Sequence, residues 1–217
     1  MNCVGCGKIT LGQSWLCPAC ALTQKVVLPR LVIGITGRAR HGKNTIAEVM
    51  AQGFEKAGYL CSDVTVSDIV WAEASKLRKV RSHSRASASK WELDNLVALG
   101  HSERDKDEDH WISAVAAAVV KEGATTGAAQ VAVMAGVRFH NEVTWLRKFP
   151  GGIIIKVVRY NTDGSLFISP DRDPNDKMET TVDEIKADFE FTHQTGQTDW
   201  LISQAKAFMS CTFGINP

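Results

Sequence analysis

Leu31-Val-Ile-Gly-Ile-Thr36 runs directly into Gly37-Arg-Ala-Arg-His-Gly42-Lys43-Asn44-Thr45, and then into Ile46-Ala-Glu-Val-Met50. An apolar, β-branched run, a turn bounded by glycines and a stretch with helical apolar spacing leave the chain few options. They require a buried strand, a tight loop and a helix that packs back on the sheet. The spacing G-x-x-x-x-G-K-x-T adds chemistry to that geometry. Gly37 and Gly42 let the backbone turn so that successive N–H groups face phosphate oxygens, and the helix start adds its partial positive charge. Lys43 can then reach the β- and γ-phosphates of a nucleotide while a hydroxyl holds Mg²⁺. The cradle would comprise Gly37, Arg38, Ala39, Arg40, His41, Gly42, Lys43, Asn44 and Thr45. The Ser or Thr usual directly after the lysine is Asn44 here, with Thr45 next. ATP and Mg²⁺ are the expected ligands.

Beyond this loop, β-rich runs alternate with helical patterns, which predicts βαβ units and a mainly parallel sheet. Strands are expected at 31–36, 63–67, 131–135 and 152–158, with another near 189–191. Helices are expected at 43–56, 69–80, 90–100, 109–122, 142–148 and 199–208. Residues 161–183 read as a polar loop. The fold class is thus α/β, a three-layer nucleotide-binding fold over residues 29–217. With 44% hydrophobic and 23% charged residues the composition is that of an ordinary globular protein, and a net charge of +1 does not announce a nucleic-acid partner. The longest apolar runs are too short to span a bilayer and the start lacks a signal-peptide core, so a cytoplasmic protein is expected.

Four of the six cysteines crowd into the first twenty residues, as Cys3-x-x-Cys6 and Cys17-x-x-Cys20. Each such turn can aim two thiolates at one ion, and two turns close a tetrahedral Cys₄ site. So short a segment cannot build a core of its own, so residues 1–28 read as a zinc ribbon held together by structural Zn²⁺. Its purpose is open: it can bind nucleic acid, bind protein, or cover the neighbouring domain.

The stretch GITGRARHGKNTIAEVMA resembles the phosphate-binding loop of phage-type deoxynucleoside monophosphate kinases. VAVMAGVRFHNEVTWLRKFPGGIIIKVVR at 131–159 is similar to the same family's strand followed by a Val-Arg-Phe-x-Asn-Glu segment. LGHSERDKDEDHWI at 99–112 is similar to its Gly-x-Glu-x-x-Arg helix region. The resemblance covers most of residues 31–208 and implies a P-loop kinase using ATP and Mg²⁺, in the host cytoplasm if phage-encoded. The related phage 5-hydroxymethyluridine DNA kinases belong to the same comparison. Ala135-Gly136 stands where those kinases often carry an Asp before the Val-Arg pair, and the late His-x-Ser-Glu-like segment is represented only by Lys177-Met178-Glu179.

Four residues beyond the loop are candidates for catalysis. Asp68 is expected at the carboxyl end of the second strand, where it can act as a general base, orient an acceptor hydroxyl, or simply cap the next helix. Arg138, just past the third strand, can grip a phosphate with its planar fork. Glu142, four residues on, can pair with it or start the next helix, where its charge suits the dipole. Arg104 and Arg172 are further cations able to neutralise a transferred phosphoryl group, or solvated arginines. Glu103 and Asp109 read as a solvated helix start. Lys76, Arg78, Lys79, Arg81, His83, Arg85 and Lys90, with no acidic residue among them, form a basic run suited to a polyanion or to a solvated face. Two acceptors follow: a hydroxymethylated base in DNA, favoured by the cysteine module and the basic run, or a free deoxynucleoside monophosphate. A nucleic-acid-binding zinc protein with a regulatory nucleotide site is the reading from another class. A homodimer is compatible with all three.

Overall fold

The apolar run Leu31–Thr36 forms β1 at the centre of a five-stranded sheet. The computed structural model describes residues 29–80, 82, 87–126 and 131–217. Along the chain, β1 is followed by α1 (Lys43–Lys56), β2 (Cys61–Thr65), α2 (Val66–Lys76), α3 (Lys90–Lys106) and α4 (His110–Thr126). Then come β3 (Val131–Val137), α5 (His140–Leu146), β4 (Gly151–Tyr160), α6 (Lys177–Glu184), β5 (Phe189–Gln194) and α7 (Thr198–Phe213). The sheet order is β2-β3-β1-β4-β5. β1 pairs in parallel with β3 and β4, and β4 with β5, so the carboxyl ends of these strands share one edge.

The described residues divide into two compact units, 65–118 and the remainder from 29–64 with 119–217. In the sheet unit, Ile33 and Ile35 of β1 bury one face against Ile46, Met50 and Phe54 of α1 and Leu201, Phe208 and Met209 of α7. Each such side chain contributes about 1.5–3 kcal/mol on burial. Gly34 points to the other face, where a Cβ would stand 2.5 Å from Leu146 Cδ1 of α5. Helices therefore cover both faces, which explains why β1 and β3 are apolar without alternation. The sequence expectation of a three-layer α/β fold with a parallel sheet matches this arrangement.

The helical unit packs Val70 and Ala74 of α2 against Val80, Leu99 and Trp111. Trp111 also donates its indole N–H to Gly100 O at 2.9 Å. Ser89 caps α3 in a reciprocal capping box, with Glu92 accepting from the Ser89 N–H and also from the Ser82 N–H and hydroxyl.

Three expectations are corrected. The second strand ends at Thr65, not Ser67, because the Thr65 hydroxyl accepts the Asp68 N–H at 3.0 Å and starts α2 there. Asp68 is therefore not at a strand end; it lies exposed on the first turn of a helix. Glu103 belongs to the last turns of α3, bonded to Lys106, and not to a helix start. The supposed polar loop 161–183 contains α6, capped by Asp176. The cysteine module, with Cys3, Cys6, Cys17 and Cys20, lies outside the described residues, as do Arg81, His83 and Arg85. Among the described residues no three His, Cys, Asp or Glu side chains gather as a metal site, and no helix is long and apolar enough to cross a membrane.

Candidate active site

The loop after β1 is shaped by its glycines and held by its neighbours. Gly37 has φ 134°, and a Cβ there would lie 2.3 Å from Val157 O of β4, so only a glycine lets the chain leave the strand this close to its neighbour. Gly42, with φ 96°, occupies the cap position of α1, which has no side-chain cap. A helix start without a capping side chain leaves its N–H groups to water or to an anion, which is the chemical fit expected of a phosphate site. Lys43 is 8% exposed and sends its Nζ back to Arg38 O at 2.7 Å, arching over the crest of the loop. Asn44 is exposed, while Thr45 is half-buried on the first turn of α1.

Residues from β4, β5 and the segment between them anchor this loop. His41 is buried, with Nε2 3.0 Å from Phe167 O and Nδ1 3.2 Å from the Arg159 N–H. Nδ1 also lies 3.2 Å from Val157 O, and with burial favouring the neutral ring, Nε2 donates to Phe167 O while Nδ1 accepts the Arg159 N–H. Burial, more than anything else, pushes the His41 pKa down; Lys43 adds to it, and the Phe167 and Val157 carbonyls oppose it. His193 at the end of β5 lies 3.0 Å from His41 O through Nε2. Arg38 pairs with Asp183 at 2.5 Å, and Arg40, with φ 60°, pairs with Asp171 at 2.9 Å. The bond to Asp183 is the largest influence on Arg38, raising its pKa against burial. Asp171 is held low chiefly by the Ser169 hydroxyl, with Arg40 and Arg172 adding to the effect.

Arg138 follows β3 directly. The pairing of β1 with β3 slips between Ile35 and Thr36, so that Thr36 faces Val137 and Gly136, with φ 91°, is the extra residue. Such a bulge re-aims the residues that follow it. Of the two expectations for Glu142, a start of the next helix holds, and a side-chain pair with Arg138 does not form. Buried Glu142 instead accepts the backbone N–H groups of Arg138 (2.6 Å) and Phe139 (3.2 Å), capping α5. The Arg138 guanidinium meets Glu179 of α6 at 2.9 Å and Met178 O at 3.0 Å.

Of the residues singled out in the sequence, the sheet unit brings together the whole 37–45 loop and Arg138. Arg172 is half-buried beside Asp171, its N–H donating to Ser169 O. Asp68 and Arg104 belong to the helical unit, the first exposed on α2 and the second half-buried on α3. The sequence reading missed the carboxylates that brace the loop: Asp171, Glu179 and Asp183. Asp176-x-x-Glu179 is a helix-start signature, and reading it as such would have placed Glu179 on a helix next to the site.

No family model and no curated protein matches the chain. Among solved structures it is similar to a protein from Chloroflexus aurantiacus provisionally assigned as a kinase, at 12% identity and a TM-score of 0.41. The match covers 84% of this chain and 97% of that one.

Proposed function

We propose that this chain is an ATP-dependent phosphotransferase. One observation carries the reading: a lysine, Lys43, arched over a glycine-bounded loop that joins the carboxyl end of a central parallel strand to a helix without a side-chain cap. In this reading the backbone from Gly37 to Thr45 and Lys43 hold the triphosphate, and the Thr45 hydroxyl helps to hold Mg²⁺. Arg138 adds a cation from the neighbouring strand, and Arg104 and Arg172 are further cations for the transferred phosphoryl group. Bound ATP supplies the phosphoryl group and Mg²⁺ neutralises its charge; the chain's work is positioning.

The acceptor is a hydroxymethylated pyrimidine base in DNA, as in the phage kinases that the sequence resembles. Lys76, Arg78, Lys79 and Lys90 support this choice, because all four are exposed in the helical unit and suited to backbone phosphates. Asp68 then serves as the acceptor-side base, exposed on the first turn of α2. A free deoxynucleoside monophosphate is the second reading, favoured by Arg138, whose guanidinium at the sheet edge suits an acceptor phosphate. Replacing Lys43 with alanine tests the common core. Steady-state transfer from ATP should fall by about 100-fold or more, while circular dichroism stays unchanged. Full turnover in that variant would end the kinase assignment.

A further inference from the structure

Glu179 is 5% exposed and divides its two oxygens between separate parts of the site. Oε2 accepts the Ala39 N–H of the phosphate loop at 2.9 Å, and Oε1 accepts from Arg138 Nη1 at 2.9 Å. Met178 O accepts from the same Nη1 at 3.0 Å, so both protons of that nitrogen are used. The Nε and Nη2 groups of Arg138 donate to no described residue. They are also absent from the buried polar atoms without partners, so this edge of the guanidinium meets solvent. An Nε/Nη2 edge is the fork that grips two oxygens of one phosphate. Its place is set by the sheet: Gly37 and Arg138 follow the paired residues Thr36 and Val137, on strands about 4.8 Å apart.

We propose that Glu179 is a positioning residue. It occupies one nitrogen of Arg138 so that the opposite edge is presented to the terminal phosphate of a nucleoside triphosphate, and it locks that orientation to the loop through Ala39. The proposal rests on the phosphotransferase reading and adds to it a residue that never touches the nucleotide. Its electrostatic logic is that one carboxylate satisfies a guanidinium on one side only, at a buried point where a free arginine would sample several rotamers. A triphosphate gains from the presented edge and a diphosphate does not.

The test uses the full chain with Mg²⁺, and AMP-PNP and ADP as probes, by titration calorimetry. The wild-type protein should prefer AMP-PNP. In Glu179→Gln, which keeps the shape and loses the ionic hold, that preference should drop about tenfold while ADP affinity stays within about threefold. Arg138→Ala should remove the preference, and Arg138→Ala with Glu179→Gln should match Arg138→Ala alone. Should Glu179→Gln fail to fold, Arg138→Lys keeps the charge without the fork, and it should also lose the preference. Equal weakening of both probes in Glu179→Gln, additive effects in the double variant, or tighter AMP-PNP binding once Glu179 is neutral would each overturn the positioning role. If the wild-type chain binds neither nucleotide, the phosphotransferase reading falls, and the inference with it.

Discussion

Gly37 shows how a single missing side chain fixes the site. Its φ of 134° is strained for any other residue, and the obstacle to a Cβ, Val157 O at 2.3 Å, is backbone that cannot rotate away. Gly37→Ala should therefore destabilise the protein by about 3 kcal/mol or more, the sum of a disfavoured dihedral and a displaced strand. Gly42→Ala should cost less, because the atom its Cβ meets is the flexible tip of Leu201, at 2.5 Å. Denaturant unfolding of both variants checks this order, and equal losses would contradict it. Both glycines were legible in the sequence because the motif demands them. The helix that carries Glu179 was legible from its Asp176 cap, but the contact of that carboxylate with a loop 140 positions away leaves no local pattern.

The glycine-bounded loop, β4 and the segment around Phe167 are joined through the ring of His41. That ring must be neutral to accept the Arg159 N–H, and its pKa lies below the ordinary histidine value. The unfolded chain takes up a proton near pH 6.5 and the folded chain only at lower pH. The stability due to a neutral His41 is thus complete above about pH 6.5 and declines as pH falls below it. Melting temperatures between pH 8 and 5 should fall on acidification, and less steeply in His41→Asn. Parallel profiles for the two proteins would contradict this. Element boundaries were legible where local signals agreed: β1 and α1 match the sequence reading at both ends, strand composition and glycines pointing the same way. They failed where signals competed. Val64, Thr65 and Val66 favour a strand by composition, yet the Thr65 hydroxyl bond to Asp68 turns the chain into α2. The short α6 is polar along much of its length, so only its cap announces it.

The chain combines a sheet unit that carries the glycine-bounded loop, a helical unit with exposed cations, and an N-terminal cysteine cluster. Protein purified without chelator should contain one zinc per chain, bound by Cys3, Cys6, Cys17 and Cys20. Chelation should release the first thirty or so residues to proteolysis and spare the core that joins α1 and α7 to the sheet. Elemental analysis finding no zinc would remove the ribbon. Transfer of the γ-phosphate to a base in DNA is tested by offering γ-labelled ATP and Mg²⁺ together with free deoxynucleoside monophosphates and DNA containing 5-hydroxymethyluridine. Label should appear on the DNA, with transfer weakening steeply as salt rises, because each phosphate paired with a lysine or arginine releases a counterion. Label on a free monophosphate with none on the DNA, or label on neither, would contradict it.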